Sequence, residues 1–232
     1  MSSVLLITSF SIAFFHTILG PDHYIPFIAL SKTKQWSLKK LLVFTVLCGM
    51  GHVLSSVFLG VVGISIGAAL IKLELIESFR GDIAGWLLLI FGFVYFIYGL
   101  FVAKTHKRHN HIDTHAVHTH THDSSDKLHT HTGLNSHKKN VTPWVLFIIF
   151  LLGPCEPLIP LLMYPAATLN GTSVLMVSLV FGITTILTMC IVVSALYFSM
   201  TKINFKRFEQ YSHAIAGFAI FACGFAVSVL GL

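Results

Sequence analysis

Apolar residues run through this chain in long blocks, and polar residues gather in short gaps and in one central stretch. A membrane-crossing helix needs about 20 consecutive, mostly apolar residues. Six blocks reach that length, at approximately residues 3–31, 41–71, 83–103, 143–168, 173–200 and 211–231, and the pattern predicts six spans. The first block, beginning "MSSVLLITSFSIAFFH", has no basic residues ahead of its apolar core, so it reads as a retained span and not as a cleaved signal. Gly-Pro interrupts the first and fourth blocks, in "LGPDHYIPF" (19–27) and "LGPCEPLIPLL" (152–162), which predicts helices broken in mid-membrane.

Composition agrees with this pattern. The 232 residues are 55% hydrophobic and 10% charged, with a mean hydropathy of +0.81, whereas a soluble domain carries roughly 25% charged residues. The net charge of +6 is less informative than its distribution. Segments 32–40, 104–142 and 201–210 hold four, six and three Lys or Arg residues, while the opposite side keeps only Lys72 and Arg80. Excess Lys and Arg mark cytoplasmic segments, which predicts a multi-pass protein of the cell membrane with both termini outside. Charge spread along membrane edges makes a poor nucleic-acid surface, and no nucleic-acid partner is expected. The four cysteines, Cys48, Cys155, Cys190 and Cys223, all fall in predicted spans without a CxxC pair, so no disulfide framework is indicated.

The spans fall into two sets of three. Aligning the Gly-Pro pairs places Asp22 opposite Cys155 and His23 opposite Glu156, and the third and sixth spans share G-F-x-x-F-x-x-G in "GFVYFIYG" (92–99) and "GFAIFACG" (217–224). Glycine and proline are also common in membrane helices for close packing, which is the plainer account of such matches. An odd number of spans per repeat requires the second copy to enter from the other side. The predicted fold is therefore an all-α membrane protein of two inverted three-helix repeats, residues 1–103 and 142–232, joined by a loop at 104–141, with a site where the broken helices meet.

Of nine acidic residues, only Asp22 and Glu156 lie deep in predicted spans, each just after a break; Glu74, Glu77 and Asp82 fall in loops or at span ends. A carboxylate in a bilayer costs at least about 2.5–3.5 kcal/mol on insertion scales, so such residues mark function. His16, His23 and His52 are the histidines nearest this position; 16 and 23 lie seven apart, on one face of a continuous helix. Imidazole with carboxylate suits borderline divalent ions such as Ni, Co, Zn or Fe(II), making His16, Asp22, His23, His52 and Glu156 candidate metal ligands, with Cys155 as a further substrate-binding candidate. A lone buried histidine or cysteine also serves as ordinary core. The central loop adds ten histidines, at 106, 109, 111, 115, 118, 120, 122, 129, 131 and 137, a tract that binds metals loosely or simply links the halves.

These features, taken in order, resemble the nickel/cobalt exporter family and its urease-accessory-like relatives within the lysine-exporter superfamily. The resemblance rests on His16 with a downstream Asp22-His23, on Gly51-His52 in the second span, on the His-rich loop and on "GPC" in the fourth span. One spacing differs, since five residues (TILGP) separate His16 from Asp22 where such relatives usually have four. The resemblance implies a secondary transporter, not an enzyme, carrying a divalent transition metal as substrate, most naturally outward, with no organic cofactor; a homo-oligomer is compatible with it. Two alternatives belong to the same superfamily. An anion or amino-acid exporter should show intramembrane Lys or Arg, and the predicted spans contain none. A thiol–disulfide electron carrier resembles "GPCEP" but needs a partner cysteine in the first span, where this chain has Asp22.

Overall fold

The computed structural model describes residues 3–67, 70–109, 141–153, 155, 157–167, 171–201 and 210–230. The regular elements among them are all helical. In a bilayer each backbone N–H and C=O must find its partner inside the protein, and a helix supplies those bonds within one segment. The order is α1 (Ser3–Leu19), a single 3-10 turn (Pro21–His23), α2 (Ile25–Thr33), α3 (Leu38–Ser65), α4 (Leu70–His109), α5 (Val141–Leu152), α6 (Leu158–Ala167), α7 (Gly171–Thr201) and α8 (Ser212–Leu230). Large apolar side chains such as Phe10, Phe58, Phe79 and Ile191 cover the outside of the bundle. This is an all-α, multi-pass membrane protein whose surface is made for lipid.

Four helices, α3, α4, α7 and α8, are individually long and apolar enough to cross a bilayer. The segments 3–19 and 21–33 make a fifth span if counted together, although they bend by 82° where Gly20-Pro21 interrupts them. Six spans are not shown among the described residues, and the shortfall lies at 143–168. There α5 has 12 residues and α6 has 10, about 18 and 15 Å at 1.5 Å per residue, each well short of a hydrocarbon core of about 30 Å. Two prolines in "GPCEP" remove the amide donors that would carry α5 onward into α6.

The third predicted span also starts too late. Helix α4 begins at Leu70 rather than 83, and it continues to His109. It thereby draws Glu74, Glu77, Arg80 and Asp82 into one long helix, and it takes the backbone of His106 and His109 out of the expected loop.

Helices α4 and α8 run antiparallel in direct backbone contact. A Cβ on Gly92 would meet the backbone of Phe221, one on Gly99 that of Ala214, one on Gly217 that of Phe96 and one on Gly224 that of Leu89. These are the four glycines of the shared G-F-x-x-F-x-x-G motif, and close packing of two helices is what they do here. Around this seam lies the larger core, with Phe27, Leu41, Leu146, Phe150, Met189 and Ile220. A second cluster, with Ala13, Leu158, Leu162, Val177 and Phe181, surrounds Cys155. The two broken helix pairs meet α3 between these cores.

Candidate functional site

Gly20, Pro21, Asp22 and His23 form the first break. Proline ends α1, and the His23 amide donates back to the Gly20 carbonyl at 3.1 Å, closing the turn. A Cβ at position 20 would lie 2.8 Å from Oδ1 of Asp22 and would overlap the His23 ring, so only glycine lets both side chains fold back over the turn. Nδ1 of His23 stands 3.0 Å from Asp22 Oδ1 and 3.2 Å from the Gly20 carbonyl. Both neighbours are acceptors, so Nδ1 carries the proton and donates, and Nε2 presents its lone pair.

That lone pair faces two more imidazoles. The rings of His16 and His23 are 4.9 Å apart and those of His23 and His52 5.2 Å apart, each pair nearly perpendicular. One nitrogen from each ring lies within 4.8 Å of the others, and among the described residues no Nε2 of the three has a hydrogen-bond partner. A buried ring nitrogen without a partner is costly, so three converging ones are an arrangement with a use. Zn–N distances of about 2.0–2.1 Å put tetrahedral ligands roughly 3.3 Å apart, so a small closure of the rings would let them hold such an ion. Phe150 packs against His23 and His52 and closes the apolar side.

Asp22 differs from its expected role. It bonds the far side of His23 and lies outside the group of converging nitrogens. A carboxylate there fixes the tautomer and angle of the histidine. With His52 and Gly153 it also lines a cavity of about 40 Å³ that reaches Gly81 and Gly85 of α4, room enough for ordered water.

The second break approaches the same point. A Cβ on Gly153 would lie 3.2 Å from His52 Nδ1, so the end of α5 presses on the histidine cluster. Two residues on, Cys155 is completely buried. Its amide donates to Ser56 Oγ at 3.1 Å, and its carbonyl accepts from Leu158 at 2.8 Å. Among the described residues Cys155 does not join the three histidines as a ligand. Glu156 lies outside the described residues, as do His111, His115, His118, His120, His122, His129, His131 and His137; for His106 and His109 only the helical backbone is described.

Sequence reasoning missed one polar network altogether. Glu77 is 1% exposed and Arg80 18%, and they pair at 2.7 Å inside the candidate span of α4. The spans therefore do contain an arginine, contrary to expectation, although it is committed to Glu77, to Ser55 Oγ at 2.8 Å and to the Leu151 carbonyl at 3.1 Å. Opposite charges three residues apart, Glu77 and Arg80 on one helical face, are the signal that could have revealed it. His213, by contrast, bonds the Tyr95 hydroxyl at 2.9 Å, the satisfied structural role of an ordinary histidine.

Comparison with known proteins overturns the family expected from these motifs. The family described as cytochrome c biogenesis protein transmembrane region matches residues 25–226. No curated protein and no solved structure matches the chain. The nickel/cobalt exporter family is therefore not the one indicated, and transport of a divalent metal falls with it. The first-span motif was already one residue out of register with that family, with five residues between His16 and Asp22. The finding favours the thiol–disulfide electron carrier instead.

Proposed function

This chain belongs to the cytochrome c biogenesis protein transmembrane region family, and on that premise we propose that it is an electron carrier of the thiol–disulfide kind with Cys155 as its working thiol. One observation carries the assignment to Cys155: of the four cysteines it alone stands at a helix break, and that break presses on His52. Cys48, Cys190 and Cys223 lie within α3, α7 and α8. The first break offers Asp22 and His23 where a second thiol would be needed, so the two breaks cannot close a disulfide between them.

Exchange then runs through a mixed disulfide. The Cys155 thiolate attacks a partner disulfide, bonding one sulfur while the other leaves as a thiolate and takes up a proton. One thiolate of a second partner's dithiol attacks the Cys155 sulfur, releasing the first partner's remaining sulfur as a thiolate that takes up a proton. The second thiolate of that dithiol then attacks its own partner sulfur, releasing the Cys155 thiolate and leaving the second partner as a disulfide. An electron pair thus passes from the second partner to the first. The test uses purified protein in which the other three cysteines are alanine, treated with an aromatic disulfide whose leaving thiol is coloured. Colour release with a thiol-reversible adduct on Cys155 is expected; no adduct on Cys155 contradicts the reading.

A second reading of the first break is favoured by the three Nε2 atoms that have no partner among the described residues. His16, His23 and His52 hold a divalent transition-metal ion as a resident of the site, with Asp22 orienting His23. Cobalt(II) added to protein lacking residues 110–137 should bind with the visible spectrum of a nitrogen-ligated ion, and His52→Ala should abolish it.

For the molecule as a whole, we read the two broken pairs, each followed by two long helices, as two inverted three-helix repeats of six membrane segments. Both termini then lie outside and the histidine-rich segment in the cytoplasm, which the Lys and Arg distribution supports.

A further inference from the structure

A broken helix inside a bilayer leaves backbone groups that only the protein can satisfy. At the second break the last carbonyls of α5 and the amide of Cys155 are such groups, and both lead to the same pair of charges. Arg80 splits its guanidinium: Nη1 donates to Glu77 Oε1 at 2.7 Å, while Nη2 donates to Ser55 Oγ at 2.8 Å and to the Leu151 carbonyl at 3.1 Å. Ser56 works from the other side, accepting the Cys155 amide at 3.1 Å and donating to Glu77 Oε2 at 3.3 Å. Glu77 thus receives Arg80 on one oxygen and Ser56 on the other. The chain just before the break is tied to the arginine, and the chain just after it is tied, through Ser56, to the glutamate.

We propose that Glu77 and Arg80 are a positioning pair that fixes the second helix break, and with it Cys155, against the histidine cluster. The first break needs no such help, because Asp22, His23 and Gly20 bond one another. The second has a thiol in place of the carboxylate and borrows its hold from α3 and α4. A membrane helix does not keep a buried ion pair without use, and arginine is required because only its planar fork reaches the glutamate, the serine and the carbonyl together. The role assigned to the pair rests on Cys155 being the working thiol.

The experiment measures alkylation of Cys155 by N-ethylmaleimide in lipid nanodiscs, in a protein whose other cysteines are alanine. A parallel protein keeps only Cys48, which is equally buried but lies in the other core. Arg80→Gln should speed Cys155 labelling at least tenfold and leave Cys48 unchanged. Arg80→Lys keeps a charge opposite Glu77 but cannot also span to Ser55 and Leu151, so it should give the same rise. Unchanged Cys155 labelling in either variant overturns the proposal, as does a parallel rise at Cys48, which marks general loosening. Should the arginine variants fail to reach the membrane, Ser56→Ala, which cuts the tie of the Cys155 amide to Glu77 and leaves the Glu77–Arg80 pair in place, decides by the same readings. Labelling needs no electron transfer, so a failed disulfide exchange at Cys155 and a failed positioning role are told apart.

Discussion

Asp22 shows how one side chain can matter through the neighbour it holds. Its carboxylate accepts from His23 Nδ1, holding the ring so that Nε2 faces His16 and His52. Loss of such an orienting carboxylate typically costs 10–100-fold in metal affinity, so Asp22→Asn should weaken cobalt(II) binding by about that factor, measured by absorbance titration, whereas His23→Ala should remove it. Equal loss in both variants would place Asp22 among the direct ligands. The three histidines were legible because a Gly-Pro break flanked by histidines and a Gly-His pair inside the second span are both visible in sequence. The seven-residue spacing of 16 and 23 was not the reason they meet, because α1 ends at Leu19 and the turn over Gly20–His23 folds His23 back. Glu77 and Arg80 were not, since charged letters at the edge of an apolar run look like a loop until the packing of α4 on α3 shows both side chains covered. Cys155 was visible as a candidate, but its hold on Ser56 depends on a contact between residues 99 positions apart.

Between elements, the contact of α4 with α8 is set by glycines, and two swaps separate that from general tolerance. Gly92→Val would drive a side chain into the backbone of Phe221, while Gly171 has nothing within 4 Å of a new Cβ. Overpacking costs about 1–3 kcal/mol, so Gly92→Val should lower the melting temperature in detergent by several degrees and Gly171→Val should leave it within error. A similar drop in both would deny the seam its role. The paired motif could be read from sequence, but its two meanings, repetition and packing, look identical there; the approach of each glycine to a facing backbone shows the packing. The helix breaks were equally plain from Gly-Pro, whereas the lengths of α5 and α6 were not, because hydropathy runs unbroken across 143–168 while α5 stops at Leu152 and α6 starts at Leu158.

At the scale of the whole molecule, the asymmetry of Lys and Arg predicts that residues 104–142 face the cytoplasm. A His118→Cys substitution should therefore resist an impermeant maleimide in intact cells and react after the membrane is opened; labelling in intact cells reverses the topology. The larger claim is that this bundle passes electrons across the membrane through the break that carries Cys155. Proteoliposomes with a thiol reductant sealed inside and an impermeant disulfide reporter outside measure that passage directly. The account predicts reporter reduction in proportion to the protein present, falling to the rate of empty vesicles with Cys155→Ser. Reduction by Cys155→Ser at the unsubstituted rate, or no reduction above empty vesicles by the unsubstituted protein, would contradict it.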